Sequence, residues 1–267
     1  MASRWRLLLF NMRLSVRGLV FTVFIFGLSV AVWQLAIRLS ISPWYVPKFE
    51  QVSAQLQRLK FVSETGVKVI VYRFDPDNYT FRIEHSPEPE RISSWSNRLL
   101  AEHILINGFY FLENYLPAGM LITNGQLVHE TAFDFDKSGL ISLAPDFRLV
   151  DTQFENFSTT DILEAGQSYP FMLKQGVPAI KTDSGLVARR SFIGTDNNGL
   201  TYLGVVAKDD ISLFELMHVL TSVQVDWQDV INLDGGPSTG IAVKTKGFVE
   251  VLDSLVPVPN IIVIEPK

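Results

Sequence analysis

The sequence predicts an α/β fold of the mixed α+β kind. The expectation is a single strand-rich domain with a mixed sheet and flanking helices, preceded by one N-terminal transmembrane helix. Three observations lead to it: an uncharged apolar run at residues 19–37, a succession of short β-branched and aromatic segments separated by turn signals, and a strand-helix-strand rhythm near the C-terminus.

The apolar run comes first. At 1.5 Å rise per residue, about 19 residues roughly span a bilayer's hydrocarbon core. Its polar members are Thr22, Ser29 and Gln34, which a helix accommodates by bonding its own backbone or by lying near the interface. Arg4, Arg6, Arg13 and Arg17 precede the run and only Arg38 follows it closely, so the positive-inside rule keeps the N-terminus cytoplasmic and the body outside. The run exceeds the apolar core of a cleavable signal peptide, and no small-x-small site follows before Pro43 and Trp44, which favours an anchor over a leader. Trp44 and Tyr45 fit an interfacial aromatic belt. The predicted organisation is a basic stub at 1–18, an anchor at 19–40, a juxtamembrane linker or helix at 41–60, and a domain at 61–267.

The chain carries 28 acidic and 23 basic residues, a net charge of −5, with several arginines spent on the stub. The body is therefore acidic and nucleic acid is excluded as a natural partner. It has no cysteine, hence no disulfide, no thiolate metal site and no cysteine nucleophile, and its stability must come from its core.

Within the body, Phe49, Val52, Leu56 and Leu59 recur at helical spacing, predicting a stalk or first packing helix over 48–60. Strands are predicted at 67–74, 79–83, 104–111, 120–123, 126–128 and 191–193, punctuated by Asp-Pro-Asp-Asn at 75–78, Thr-Asn-Gly-Gln at 123–126 and Asp-Asn-Asn-Gly at 196–199. A strand at 201–207, a helix at 212–223 entered through Asp209, Asp210 and Ser212, and a strand at 230–233 form the strand-helix-strand unit. Strands at 241–244, 248–252 and 261–264 complete the reading.

Three stretches can carry chemistry. In Asn232-Leu233-Asp234-Gly235-Gly236-Pro237-Ser238-Thr239-Gly240 an apolar strand runs into an acid, two glycines and two hydroxyls; paired glycines admit positive φ and close approach of a ligand, and the amides there can receive an anion. A tight turn between strands explains the same residues. In Ile106-Asn107-Gly108-Phe109-Tyr110-Phe111, continuing through Pro117 to Gly125, an amide and a glycine interrupt a hydrophobic strand, and Asn107 needs full hydrogen bonding to sit there. In Arg189-Arg190-Ser191-Phe192-Ile193-Gly194 two cations lead into a strand. The four histidines, His85, His103, His129 and His218, lack metal-ligand spacing, and the pairs Asp75/Asp77 and Asp134/Asp136 are more simply turns than calcium loops.

Taken in order, these stretches resemble the phosphodiester glycosidase family, from about Asn107 to the C-terminus. Asn107 to Phe111 is similar to the family's Asn-Gly-Gly-[Phe/Tyr]-Phe, Pro117 to Gly125 to its Pro-x-Gly-x-x-Ile-x-x-Gly, Arg190 to Gly194 to its Arg-Thr-Ala-Ile-Gly, and Asn232 to Thr239 to its Asn-Leu-Asp-Gly-Gly-Gly-Ser-[Ser/Thr]. Phe109 stands where a second glycine is usual, Pro237 where a third is usual, and Ser168-Tyr169-Pro170 where Ser-Gly-Pro is common. Phe109 and Tyr169 are thus expected to fill part of a sugar pocket.

The resemblance implies hydrolysis of a sugar-1-phosphodiester, with a glycan or sugar phosphate as substrate and the membrane as a second partner. Asp234, Arg190 and Asn107 are the implied catalytic residues. Arg190 would fork onto phosphate oxygens. Asp234 would act as base for water, stabiliser of an oxocarbenium-like centre, or ligand of a divalent cation, three roles that the sequence leaves open; no other cofactor is implied. Gly108, Tyr110, Gly235, Gly236, Ser238 and Thr239 are the implied substrate-binding residues. A catalytically silent glycan-binding or scaffold protein of polysaccharide assembly is the competing expectation.

Overall fold

A computed structural model describes residues 47–128 and 133–267, together with Ser29. The expected stub at 1–18, the expected anchor at 19–40 (Ser29 excepted) and His129 lie outside these residues. No helix among the described residues is long and apolar enough to cross a membrane. The compact unit containing the body runs from Pro47 to Lys267.

The body is built almost wholly from antiparallel strands in three sheets. The first runs in the order Glu50–Gln51, Leu56–Val62, Lys68–Phe74, Thr201–Ile211, Ala188–Asp196, Trp227–Asn232, Phe171–Lys174, Val177–Pro178. The second places Gln126–Leu127, Leu121–Thr123, Glu164–Ser168, Gly139–Ala144 and Arg148–Asp151 side by side. The third orders Phe248–Leu252, Ile241–Thr245, His103–Asn107, Val258–Pro266 and Tyr79–Glu90. The mixed α/β expectation is thus corrected to a mostly β fold. Among the described residues two α-helices remain, Ile92–Arg98 and Leu213–Ser222.

The helix expected over 48–60 is likewise replaced by strands. Val52 and Ser53 donate backbone N–H groups to the carbonyl of Leu56, at 3.0 and 3.2 Å, and this turn folds the segment into a hairpin between Glu50–Gln51 and Leu56–Val62. Phe49 therefore precedes the first strand, while Leu59 lies in the second. Their three- and four-residue spacing is produced by a turn rather than by a helical face. The strand-helix-strand unit does exist, but Ala188–Asp196 lies between its two strands and pairs antiparallel with both, so the crossover creates no parallel ladder.

Alternation along the strands divides the apolar residues between cores. Inner faces of all three sheets meet in one cluster that includes Leu56 and Tyr72 from the first, Leu121 and Ile141 from the second, and Ile104 and Ile262 from the third. Each helix then covers an outer face. Leu216, Met217 and Leu220 pack on Leu59, Val69, Phe192 and Trp227 of the first sheet, and Ile92 and Trp95 pack on Leu105, Ile261 and Val263 of the third. Burying each such side chain contributes about 1.5–3 kcal/mol, which is how a chain without disulfides holds this shape. Ser212 caps its helix as expected, its hydroxyl accepting the Glu215 N–H at 3.1 Å. Asn124 and Gly125 take the positive φ values of +50° and +71° that their turn requires.

This framework sets the site. Trp227–Asn232, central in the first sheet, ends beside the end of His103–Asn107, central in the third, so residues from two sheets meet at one place.

Candidate active site

Asp234 follows directly on the strand Trp227–Asn232, after Leu233, which is fully buried in the central core. Its backbone N–H reaches the carbonyl of Gly108 at 3.2 Å, and its carbonyl accepts from Nδ2 of Asn107 at 2.6 Å. The carboxylate is thus carried on a backbone clamped from both sides. Its Oδ1 accepts the N–H of Gly235 at 2.9 Å, and the Ser238 hydroxyl also bonds to it. Burial outweighs these two bonds and pushes the acid up to about 6. A carboxyl that titrates near neutrality can carry a proton in either direction at working pH.

The turn that follows is a short 3-10 segment, Gly236–Ser238. Gly236 has φ +59° and open space where a Cβ would stand, so here glycine serves the backbone and leaves the approach clear. Pro237 occupies the second position of that turn, still within the first turn, where its fixed φ is suited and its missing N–H costs nothing. Its carbonyl receives Leu255 N at 2.7 Å and Val256 N at 3.3 Å. The substitution of proline for a usual glycine is therefore compatible with the turn.

Arg190 stands beside Gly235, with its Cα and Cδ 3.9 Å from where a Cβ would lie there. Its Nε donates to the Ile211 carbonyl at 3.0 Å and its Nη2 to the Leu186 carbonyl at 2.6 Å, while burial lowers its pKa, partly countered by Tyr110 and Asp210. No bond from Nη1 to the described residues occurs. The guanidinium is pre-oriented by neutral oxygens, and no ion pair between Arg190 and Asp234 forms among the described residues. Arg189, the preceding cation, points elsewhere: it is buried and donates through Nη2 to the carbonyls of Thr239 and Asp253, at 2.8 and 3.0 Å.

Tyr110 lies within electrostatic reach of both Asp234 and Arg190 and links them. Burial raises its phenol far above the ordinary range, so it remains a neutral hydroxyl. That hydroxyl donates to the Tyr169 carbonyl at 3.2 Å and accepts from Nδ2 of Asn232. The rings of Tyr110 and Tyr169 lie 5.0 Å apart. The Lys137 ammonium, paired with Asp134, sits 5.4 Å from the Tyr169 ring, and a cavity of about 500 Å³ opens nearby between the turn at 117–119 and the segment at 133–136.

The structure thus brings Asp234, Gly235, Gly236, Ser238, Arg190 and Tyr110 together. Asn107, Gly108 and Thr239, the other implied site residues, are buried in the framework around them. Asn107 is 0% exposed; its Oδ1 accepts from the Ser191 hydroxyl at 2.6 Å and the Gly240 N–H at 3.1 Å, so its amide is consumed in positioning the loop. Gly108 is required by Asn260, whose Oδ1 would lie 2.3 Å from any Cβ. Thr239 is fully buried. Phe109 does not fill a sugar pocket. It is 2% exposed, and its ring occupies the space that Gly166 leaves, where a Cβ would come within 2.6 Å of three ring carbons. The extra bulk is absorbed by the core. Tyr169, in contrast, is partly exposed.

Asn232, Asn260 and Gln167 escaped the sequence reading as site or supporting residues. Asn260 clamps Phe109 through both amide atoms, and Gln167 gathers Met120, Asp134 and Lys137. Neither carries a local signal, because its partners are distant in sequence. Asn232 stood within the quoted motif. Asp75 and Asp134 act as turn caps, accepting Asp77 N and Asp136 N at 3.0 and 2.9 Å. Among the described residues no group of three or more His, Asp or Glu gathers to hold a metal.

Comparison with known proteins completes the picture. No curated protein sequence matches this chain. Among solved structures, it is similar to the catalytic domain of zebrafish N-acetylglucosamine-1-phosphodiester alpha-N-acetylglucosaminidase, described as auto-inhibited by its pro-peptide. The TM-score is 0.61 at 16% identity, over 83% of this chain and 87% of that one. It is also similar to a hypothetical protein from Synechocystis, with a TM-score of 0.57 at 13% identity, over 85% of this chain and 65% of that one. Identities this low speak for the fold alone. The family is shown separately, because residues 101–265, more than half of the chain, match the phosphodiester glycosidase family, and the protein belongs to that family.

Proposed function

We propose that this protein is a hydrolase of sugar-1-phosphodiesters, with Asp234 as the base that activates water and Arg190 as the cation that receives the phosphate. The observation that carries the reading is the Asp234 carboxyl itself, raised to about 6 by burial and held between Gly235 and Ser238 next to Arg190 and Tyr110. A phosphomonoester is a good leaving group, so proton donation to the departing oxygen matters less than in ordinary glycoside hydrolysis. Water attacks the anomeric carbon and loses a proton to Asp234; the C–O bond breaks, and its electron pair leaves on the phosphate. Arg190 faces the charge that develops there.

Phe109 and Pro237, the departures that favour a silent scaffold, are accommodated by the fold: Phe109 is buried in the core and Pro237 sits in the first turn of the 3-10 segment. Placement outside a membrane, beside surface or envelope glycans, is supported by the uncharged run at 19–37 and its arginine flank. The test is turnover of a panel of sugar-1-phosphodiesters by the full-length chain. Activity that falls at least a hundredfold in Asp234→Asn supports the enzyme, whereas glycan binding with no turnover of any member in the wild type overturns it.

A further inference from the structure

Buried beneath the site's tyrosines lies an amide that the hydrolytic reading does not use. Asn232 ends the strand Trp227–Asn232 two residues before Asp234 and is 1% exposed. Its Nδ2 is doubly engaged, donating to the Tyr110 hydroxyl and to the Tyr169 carbonyl at 3.0 Å. Its backbone carbonyl accepts from the Ser168 hydroxyl at 2.6 Å. Its Oδ1, by contrast, is buried without any hydrogen-bond partner. An unsatisfied buried acceptor is costly and calls for a donor. Ile231 and Leu233 both point into the central core, so strand alternation turns Asn232 away from it, toward the tyrosines.

Those tyrosines supply a second, independent feature. The rings of Tyr110 and Tyr169 lie 5.0 Å apart with planes inclined by 39°, and Tyr169 is 39% exposed. Two adjacent rings with one partly open to solvent offer an apolar surface of the size of a pyranose, the kind of amphipathic contact that aromatic side chains make at binding sites. The Tyr110 hydroxyl is already committed to Asn232 and Tyr169, so the rings are held in place and little ordering remains to be done on binding. Asp234 and Arg190 both lie within electrostatic reach of Tyr110.

We infer that Asn232, Tyr110 and Tyr169 form the subsite that holds the sugar: a pyranose lies on the tyrosine rings and donates a hydroxyl or amide proton to Oδ1 of Asn232. This deepens the hydrolytic reading, on which its placement beside Asp234 rests. Neither Asn232 nor Tyr169 takes part in bond breaking. Both determine which sugar is accepted and how its anomeric carbon is presented to Asp234. A site built around a buried acceptor rejects ligands that lack the matching donor far more strongly than an apolar pocket rejects a missing methylene.

The test measures binding separately from turnover. Full-length protein carrying Asp234→Asn, which leaves the subsite in place, is titrated by ligand-observed NMR with a panel of sugar 1-phosphates and, separately, with inorganic phosphate. Tyr169→Ala in this background removes the exposed ring while keeping the carbonyl that Asn232 and Tyr110 use. It is expected to weaken the best sugar phosphate at least tenfold and leave inorganic phosphate within twofold. Tyr169→Phe, which keeps the ring, restores sugar binding. Asn232→Asp keeps an acceptor but loses the donors that fix Tyr110, and is expected to weaken the sugar similarly. Should Asn232→Asp fail to fold, the Tyr169 pair decides alone.

The inference is overturned if Tyr169→Ala binds sugar phosphates like its parent, if sugar and inorganic phosphate are lost equally, or if no sugar phosphate binds at all. Binding with the expected pattern but no turnover in wild-type protein would sink the hydrolase and leave the subsite standing. Turnover with an unchanged KM in Tyr169→Ala would do the reverse.

Discussion

Asn107 holds Asp234 by the main chain and not by the carboxylate: its Nδ2 donates to the Asp234 carbonyl at 2.6 Å while its Oδ1 collects the Ser191 hydroxyl and the Gly240 N–H. One fully buried amide therefore ties the ends of strands from two sheets to the loop that carries the acid. Asn107 is a positioning residue, and its loss is felt through Asp234.

Asn107→Ala leaves a carbonyl, a hydroxyl and an amide without their partner in a dry environment. The expected cost is about 2–4 kcal/mol of stability, from the unsatisfied groups together with the small cavity. In protein that still folds, kcat should drop at least tenfold with KM within about threefold, because the substrate-facing groups stay in place. Thermal melting and steady-state kinetics check both parts; a raised KM at unchanged kcat would return Asn107 to direct substrate contact.

Asp234 sets a pH dependence whose sign can be worked out. Its ordinary value is 3.8 and its folded value about 6, so between these the native state binds the proton more tightly than the unfolded chain. The stability that this supplies is complete below about pH 4, is lost as pH rises through 6, and amounts to about 2–3 kcal/mol. Asp234→Asn should flatten that slope in denaturant titrations run from pH 4 to 8. In turnover the base must be ionised, so log(kcat/KM) should climb with unit slope below about pH 6 and level off above it.

Phe109 and Gly166 are a matched pair, because the ring fills the volume that a glycine leaves. Gly166→Ala alone should cost about 1–3 kcal/mol through overpacking. In a Phe109→Leu background the same change should cost measurably less, and a double-mutant cycle by chemical denaturation should return a coupling above about 0.5 kcal/mol. Additive effects would mean that the backbone yields and the two residues are independent.

Glu250 joins the first and third sheets by accepting from the Tyr72 hydroxyl and pairing with Arg58 and Lys60. Burial alone would raise its pKa, but hydrogen bonds from Lys60, Tyr72 and Arg58 outweigh it and hold the acid below its ordinary 4.5. Its contribution is present above about pH 4.5 and is lost as pH falls through the folded value. Glu250→Gln should lower the melting temperature at pH 7 by several degrees and change it less at pH 3; equal losses at both would assign the effect to packing instead of charge.

How much of this could be read from residues alone follows from where each signal resides. Strands such as Lys68–Phe74 and Phe248–Leu252 declared themselves through β-branched and aromatic composition and through bounding turns, and Ser212 announced a helix by its capping chemistry. The fold class failed at the strand-helix-strand rhythm near the C-terminus, because Ala188–Asp196 lies between its two strands and pairs antiparallel with both; separately, a turn at Val52–Leu56 mimicked helical periodicity. For the site, the acid at a strand end and its paired glycines were visible because they are contiguous. The division of labour was not. Burial decides that Asn107 positions and Phe109 fills, and burial depends on strands that meet from opposite ends of the chain. Asn260, which dictates why residue 108 is glycine, lies far along the sequence and carries no mark of that duty.

The central claim is that water attacks the anomeric carbon of a sugar-1-phosphodiester with Asp234 as base. Hydrolysis in oxygen-18 water, followed by mass spectrometry of both products, tests it most directly. The account predicts label in the sugar hydroxyl and none in the phosphate, with the reaction abolished in Asp234→Asn. Label in the phosphate would mean cleavage of the P–O bond and would contradict the glycosidase mechanism.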